Sequence, residues 1–368
     1  TSATFANGVE GGDNDLTLNF SQTATVDGYS NIANFTSEGA VNLSGNFTTT
    51  GFQKYEGNVA LGGDTELAAT TVEFTDGVTG NYHNLTLSPS DSFIKLDGIQ
   101  LSGVENLTIG GDLSLSGNLS AGDIDIQGNT TLIGDADLTS ELVSCLSSRQ
   151  IILNGTVDGA HALTVNGTTD FRGEIGGTTP LASLTTEGGD TSLGGNVKTT
   201  GNQNFGSDVT LTGDTKFVSG NLFDLSGLVG GGYNVEIDAG SAAIDAETYG
   251  VSGVADLTVP GDVGLNGVIT TTGNQLYSGE VGLLGDTTLV AGTGSISLGT
   301  GGEVIGVSHT LTLGDASQTG AVTLGGSVDI DGLEVGQGAF DLSITTSQGD
   351  SFNVSKFVDI PSNGTLNI

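Results

Sequence analysis

The chain has 368 residues, with 43 acidic against 7 basic residues, so its formal net charge of −36 disfavours binding to nucleic acids and to anionic membrane surfaces. Its 63 glycines and only 4 prolines exclude collagen and a proline-rich linker, and they indicate many tight turns between short strands. One cysteine, Cys145, leaves no intrachain disulfide, and no apolar run reaches the length of a transmembrane helix, so we expect no membrane insertion within this segment.

The first motif along the chain is an acidic glycine stretch, Gly11-Gly12-Asp13-Asn14-Asp15. It is similar to the glycine-rich nonapeptide that binds Ca²⁺ in β-rolls, although no tandem copies follow it. Asp13 and Asp15 are therefore candidate calcium ligands.

A long repeat recurs three times, near residues 41–69, 191–219 and 263–291. The copies align without gaps on the pattern T-T-G-x-Q-x-[YF]-x3-V-x-L-x-G-D-T-x-[LF]. Each copy contains one Gly-Asp-Thr, which adds Asp64, Asp214 and Asp286 to the candidate calcium ligands. Such a cation would bridge coils or neighbouring fibres. The alternative is that each aspartate side chain caps its own turn.

A shorter unit, L-T-[LVI], occurs throughout the chain and alternates apolar with polar residues, as strands with one buried face do. The long repeats are spaced by multiples of about 20–25 residues, which is the length of a solenoid coil. We therefore predict an all-β fold with little or no helix. The architecture would be a single continuous right-handed parallel β-helix over residues 1–368, with roughly 15–18 coils.

Each of the three histidines, His83, His161 and His309, stands two positions before the leucine that opens a copy of the short unit. Other copies hold unrelated residues at this position, and the histidines are tens of residues apart. Since a zinc site needs ligands that converge within a few ångströms, we predict neither a metal-binding nor a catalytic histidine.

Two segments depart from the repeat pattern. Residues 138–153 contain no glycine and include Cys145, so we predict either a non-repetitive insertion, helical or irregular, or an ordinary coil. Cys145 is expected to be a small buried apolar residue. Residues 350–368 are predicted to be a capping or subunit-joining segment.

Some enzymes also use β-helices, among them polysaccharide lyases and hydrolases. Such sites combine carboxylates with basic residues that stabilise charge on the substrate. Here the seven basic residues are scattered, tryptophan is absent, and no nucleophile elbow or phosphate-binding loop is present. We expect no enzymatic activity and no required cofactor.

The stretch His161–Ser219, which includes LTVNGTTDFRGEIGGTTPLASLTTEGGDTSLGGNVKTTGNQNFGSDVTLTGDTKF, resembles the repeats of filamentous-haemagglutinin-like bacterial surface proteins. Those large adhesins are exported by two-partner secretion or autotransporter routes. The resemblance implies an extracellular, cell-surface location and a role as a structural or adhesive shaft in fibres or biofilm. It also implies self-association, end to end or lateral. The alternative is a carbohydrate- or receptor-binding passenger region that contacts surface glycans.

Overall fold

The computed structural model describes residues 3–141, 149–345, 347, 349–358 and 366–367, with the backbone alone for residues 90–93, 357–358 and 366–367. Throughout this part of the chain the regular structure is β, and no helix occurs. The residues fall into two compact units. The first comprises residues 1–182 and 187–189, and the second comprises residues 183–186 and 190–368.

The strands of the first unit are mostly short, because a turn follows every few apolar–polar pairs. They are β1 Thr4–Phe5, β2 Val9–Leu18, β3 Ala24–Val26, β4 Tyr29–Ser37, β5 Val41–Thr49, β6 Phe52–Tyr55, β7 Val59–Phe74, β8 Val78–Thr79, β9 Leu85–Ile109, β10 Leu113–Ile126, β11 Thr130–Ser140, β12 Gln150–Leu153, β13 Val157–Asp158, β14 Ala162–Asn166 and β15 Thr168–Phe171.

The next strand, β16 Ser183–Glu187, contributes its first four residues to the second unit and its last residue to the first. The remaining strands of the second unit are β17 Thr191–Leu193, β18 Val197–Thr199, β19 Gln203–Leu211, β20 Thr215–Val229, β21 Val235–Val254, β22 Leu257–Val259, β23 Val263–Thr271, β24 Gln275–Tyr277, β25 Val281–Val290, β26 Ile296–Leu298, β27 Val304–Leu313, β28 Val322–Gly325, β29 Val328–Val335, β30 Leu342–Thr345, β31 Phe352–Val358 and β32 Leu366–Asn367.

Strand pairing within each unit is parallel and joins each coil to the next. In the first unit Val41 pairs with Val59, and Val59 with Val78. In the second, Val263 pairs with Val281 and Val281 with Val304. Each unit is thus a stack of parallel solenoid turns, about 17 turns in all, which confirms the predicted all-β solenoid and its number of coils. The single continuous domain stays a prediction.

The core of each unit consists of ladders of equivalent residues. Burial alternates along the strands, as in β5 and β25, because successive side chains point to opposite faces. Rings also pack against one another from coil to coil: the centroids of Phe35 and Tyr55 are 5.4 Å apart in a tilted pair, and those of Tyr55 and Phe74 are 5.2 Å apart in a stacked pair. One coil has too small an apolar face to fold alone, so each depends on its neighbours for burial.

The two irregular segments are only partly described. Within residues 138–153, strand β11 ends at Ser140 and strand β12 begins at Gln150, so both ends belong to ordinary coils. Residues 142–148, with Cys145, lie outside the described residues. In residues 350–368, strand β31 continues the parallel stack through Val328 and Phe352. The predicted capping or joining role is not tested.

Candidate functional site

The Gly-Asp-Thr aspartates connect successive coils. Asp64 Oδ1 accepts a hydrogen bond from the backbone N–H of Asn84 at 3.0 Å. Asp214 accepts from Asn234 at 2.8 Å, and Asp286 accepts from Thr310 at 2.8 Å. The expectation that each aspartate caps its own turn is therefore wrong: the side chain caps the turn of the next coil. The donor is a backbone N–H of that next turn, which the aspartate oxygen reaches across the gap between the two coils.

The same kind of cap also occurs in turns outside the long repeat. Within the described residues, nine aspartates each accept a backbone N–H from a residue 17 to 27 positions later, at 2.6 to 3.0 Å: Asp64, Asp112, Asp123, Asp135, Asp158, Asp214, Asp256, Asp262 and Asp286. Asparagines do the same, as Asn129 does for the N–H of Thr156 at 3.0 Å. Nine of the 43 acidic residues of the chain therefore satisfy backbone donors in turns.

Each histidine lies beside one of these capping aspartates. Nδ1 of His83 is 3.8 Å from Oδ1 of Asp64. The same two atoms are 3.9 Å apart for His161 and Asp135, and 4.0 Å apart for His309 and Asp286. The sequence places the histidines at one repeat position but does not reveal this partner. The signal that could have found it is the Gly-Asp pair shared by Gly134-Asp135 and the long repeats.

The histidines occupy separate coils, and each meets a single aspartate in an exposed turn. Within the described residues, no three histidine, cysteine, aspartate or glutamate side chains converge on a point where a metal ion could bind. Asp64, Asp214 and Asp286 likewise belong to separate turns. Calcium binding at these positions stays a prediction.

The acidic glycine stretch near the start of the chain forms its own network of hydrogen bonds. Asn14 Nδ2 donates to the carbonyl oxygens of Gly11 and Gly12 at 2.9 and 3.1 Å. Asp15 Oδ1 accepts from Asn34 Nδ2 at 2.8 Å, while Asp13 is exposed. Three oxygens of this stretch, those of Gly11, Gly12 and Asp15 Oδ1, thus already accept amide donors, and calcium binding by Asp13 and Asp15 stays a prediction.

The glutamine of the long repeat is buried, contrary to the usual preference of this residue for the surface. Gln275 Nε2 donates to the carbonyl oxygens of Ile269 and Val290, at 3.2 and 2.8 Å. Its Oε1 accepts from the hydroxyl of Tyr277 at 3.1 Å. Gln53 is bound in the same way, with Tyr55 as its donor at 2.9 Å. The fixed Gln and the aromatic residue two positions later are therefore structural.

A fourth buried glutamine, Gln318, lies outside the repeat pattern and was missed by sequence reasoning. Its Oε1 accepts the backbone N–H of Ala291 at 2.8 Å, and its Nε2 donates to two glycine carbonyls, Gly294 and Gly320. A polar residue inside a solenoid is stable when each of its polar atoms has a partner.

Most of the basic residues form ion pairs with carboxylates on the same or a neighbouring coil. In the described part of the chain, five of them lie within ion-pair distance of a carboxylate: Lys54 with Glu56, Lys95 with Asp97, Arg172 with Asp170, Lys216 with Glu236 and Asp238, and Lys356 with Asp331. Lys95 and the hydroxyl of Ser116 both bind Asp97 and lower the pKa of that carboxyl. Exposed pairs of this kind contribute little to stability.

No protein-family model, no curated protein and no solved structure matches the chain. In the part of the chain described above, no helix is both long and apolar enough to cross a bilayer.

Proposed function

We propose that this chain is a structural and adhesive segment of an exported bacterial surface protein. In this role its coils form a shaft that associates with copies of itself in fibres, adhesion or biofilm, and it carries out no catalysis of its own. The observation that supports this most directly is the use of the repeat-specific polar residues. The aspartates and glutamines that recur from coil to coil bind the backbone of neighbouring turns, as expected where regular stacking is the selected property.

Self-association is supported by an apolar patch on the second unit, consisting of Gly264, Gly282, Leu284, Ile305 and Val307. Gly264 pairs with Gly282, and Gly282 with Ile305, so three adjacent coils contribute to it. Leu284 is 56% exposed and Val307 69% exposed. Leu284 also lies across Gly264, where an added Cβ would come within 2.7 Å of Leu284 Cδ1.

The charge of the chain makes a second copy the best partner for this patch. Two molecules that each carry a net charge of −36 repel one another over most of their surface. Residues without charge offer the place where two copies approach at the lowest electrostatic cost, while burial of exposed leucine and valine favours contact.

Association can be measured by sedimentation velocity over a range of concentrations, with electron microscopy of the same samples. We expect oligomers or filaments that the double substitution Leu284→Glu and Val307→Glu dissociates. Ser252→Glu adds a carboxylate at an exposed position of the same unit and is expected to leave association unchanged. A wild-type protein that stays monomeric at every concentration would contradict self-association.

The proposed cell-surface location of the chain is tested by a separate measurement. Antibodies against the folded chain should label intact, non-permeabilised cells that produce it. Labelling that requires permeabilisation would contradict the proposed surface location.

A further inference from the structure

A cleft crosses four consecutive coils of the first unit, reaches Glu187 at the end of the next strand, β16, and has a volume of about 500 Å³. Its first wall is a row of outward-facing residues at one register position. Gln100 pairs with Asn118, Asn118 with Asp137, and Asp137 with Thr164. Strands β9, β10, β11 and β14 each contribute one rung.

A second row lies two residues further along the same strands. Ser120 pairs with Thr139, and Thr139 with Asn166, while Ser102 and Glu187 extend the lining at the two ends. Residues between the two rows, such as Leu101 and Leu119, are buried in the core. Because alternate residues point outwards, the two polar rows project side by side into the cleft.

The polar side chains in this cleft are available for binding. Among the described residues, the side chains of Gln100, Asn118, Asp137, Thr139 and Asn166 form no hydrogen bond with another group of the protein. On a neighbouring face of the same coils the situation is different, since Asp125 binds Asn154 at 2.8 Å and Asn154 binds Arg172 at 2.7 Å. The cleft thus concentrates unused donors and acceptors.

The chemistry of the lining restricts the ligand. The described residues of the lining include two carboxylates, Asp137 and Glu187, and no lysine, arginine or aromatic residue. Anionic polymers are repelled there, and nucleobases have no ring on which to stack. Amides, hydroxyls and carboxylates together match a ligand rich in hydroxyl groups and free of negative charge.

We propose that this cleft binds a linear glycan that carries no acidic groups. The rungs of the lining repeat at the spacing of adjacent strands, about 4.8 Å, so an extended polymer along the stack meets amide and hydroxyl groups at every coil. Sugar hydroxyls can both donate to and accept from these amide, hydroxyl and carboxylate groups. This binding site lies in the first unit and does not depend on the apolar patch of the second.

The test is a calorimetric titration of the whole chain with six-unit neutral oligosaccharides of glucose, mannose and galactose, and with an oligogalacturonate as the acidic probe. We expect saturable binding of at least one neutral probe. The double substitution Asn118→Ala and Thr139→Val should weaken it at least tenfold, since several hydrogen bonds are lost. Both residues project outwards, so the melting temperature should be preserved.

The matched control makes the same chemical changes at exposed positions of the second unit, Asn204→Ala and Thr210→Val, and should leave binding unchanged. Three results would overturn the proposal: no binding by any neutral probe, equal binding of oligogalacturonate, or binding that the cleft substitutions do not weaken. A change in oligomeric state caused by the cleft substitutions, without glycan binding, would assign the cleft to contacts between copies.

Discussion

A single hydroxyl group distinguishes the three buried glutamines of the long repeat. The Oε1 atoms of Gln53 and Gln275 each accept from a tyrosine hydroxyl, whereas Oε1 of Gln203 is buried without a partner because Phe205 occupies the tyrosine position. An unpaired buried acceptor costs about 1–3 kcal/mol.

Phe205→Tyr should therefore raise the free energy of unfolding by about 1 kcal/mol, since the new hydroxyl can donate to Gln203 Oε1. The reverse change, Tyr277→Phe, should lower it by about 1–3 kcal/mol by leaving Gln275 Oε1 unpaired. Urea denaturation measures both. A destabilised Phe205→Tyr variant would show that the rings of Phe217 and Phe223 leave no room for the hydroxyl.

Tyr82 adopts a backbone conformation that glycine favours. Asn81 and Tyr82 have φ values of 51° and 67°, and the corresponding turn of the second unit holds Gly231 and Gly232. The two turns share the same hydrogen bonds, such as Tyr82 N–H to Gly103 O at 2.8 Å. Tyr82 is also 70% exposed, so few contacts compensate for the strain.

Tyr82→Gly is expected to raise the free energy of unfolding by about 0.5–1 kcal/mol, because relief of left-handed strain exceeds the added entropy of the unfolded chain. Gly232→Tyr places the same side chain in the equivalent turn and should be destabilising. Thermal and urea unfolding of the two variants form a matched pair. A loss of stability in Tyr82→Gly would mean that the ring makes a stabilising contact.

Two carboxyl groups of the second unit, Asp208 and Asp224, have raised pKa values. Loss of hydration is the main cause for both, followed by the charge of Asp190 for Asp208 and of Asp245 for Asp224. The folded state therefore binds more protons than the unfolded state just above the ordinary aspartate pKa. Stability consequently falls as the pH rises through the window between the unfolded and folded values.

Asp208→Asn should raise the unfolding midpoint at pH 7 and flatten its decrease from about pH 4 upwards. The reason is that the substitution removes a carboxylate whose ionisation opposes folding. Asp329→Asn removes one exposed charge from the same unit and controls for net charge. Identical pH profiles for the two variants would contradict the expectation.

At the level of strands and turns, the cross-coil aspartate cap determines how one turn fits on another. The acceptor side chain comes from the earlier coil and the N–H from the later one, so the bond exists only when both turns are in register. Asn196 and Asn234 perform the same function for the N–H groups of Lys216 and Asp256, which shows that the acceptor oxygen, not the charge, is required.

Asp214→Ala should lower the free energy of unfolding by about 1 kcal/mol, and it should speed hydrogen exchange at the amide of Asn234, which loses its acceptor. Asp214→Asn keeps an oxygen at the same place and should retain most of the stability. Exchange measured by mass spectrometry or NMR distinguishes the two variants. Equal exchange at Asn234 in both would exclude a role for the cap.

For the whole molecule, the net charge of −36 opposes compaction through self-repulsion. Added salt screens this repulsion, so the unfolding midpoint should rise between low salt and about 0.5 M NaCl. CaCl₂ at matched ionic strength should give the same rise, and EDTA should have no effect, since no three histidine, cysteine, aspartate or glutamate side chains converge within the described residues. A stabilisation specific to calcium would instead support the predicted calcium ligands Asp13, Asp15, Asp64, Asp214 and Asp286.

The sequence predicts the architecture well because the repeat and the period-2 alternation are local patterns. It predicts the role of Gln53 and Asp64 poorly. Which carbonyl a buried amide meets, and which N–H a turn carboxylate reaches, depends on the register between coils. That register varies, since the number of residues from a capping aspartate to the N–H that it accepts ranges from 17 to 27. For the same reason, the sequence alone does not show that Asp135 lies beside His161; this depends on how the coils stack.

The direction of the aspartate caps has a consequence for biogenesis. In each of the nine caps the side chain comes from the segment that is synthesised first, and the N–H from the segment that follows. A finished turn therefore presents a ready acceptor to the chain that emerges next, whereas a chain that starts from its C-terminal end meets uncapped amides. The molecule is suited to assembly from its N-terminal side, with each turn serving as template for the next during synthesis.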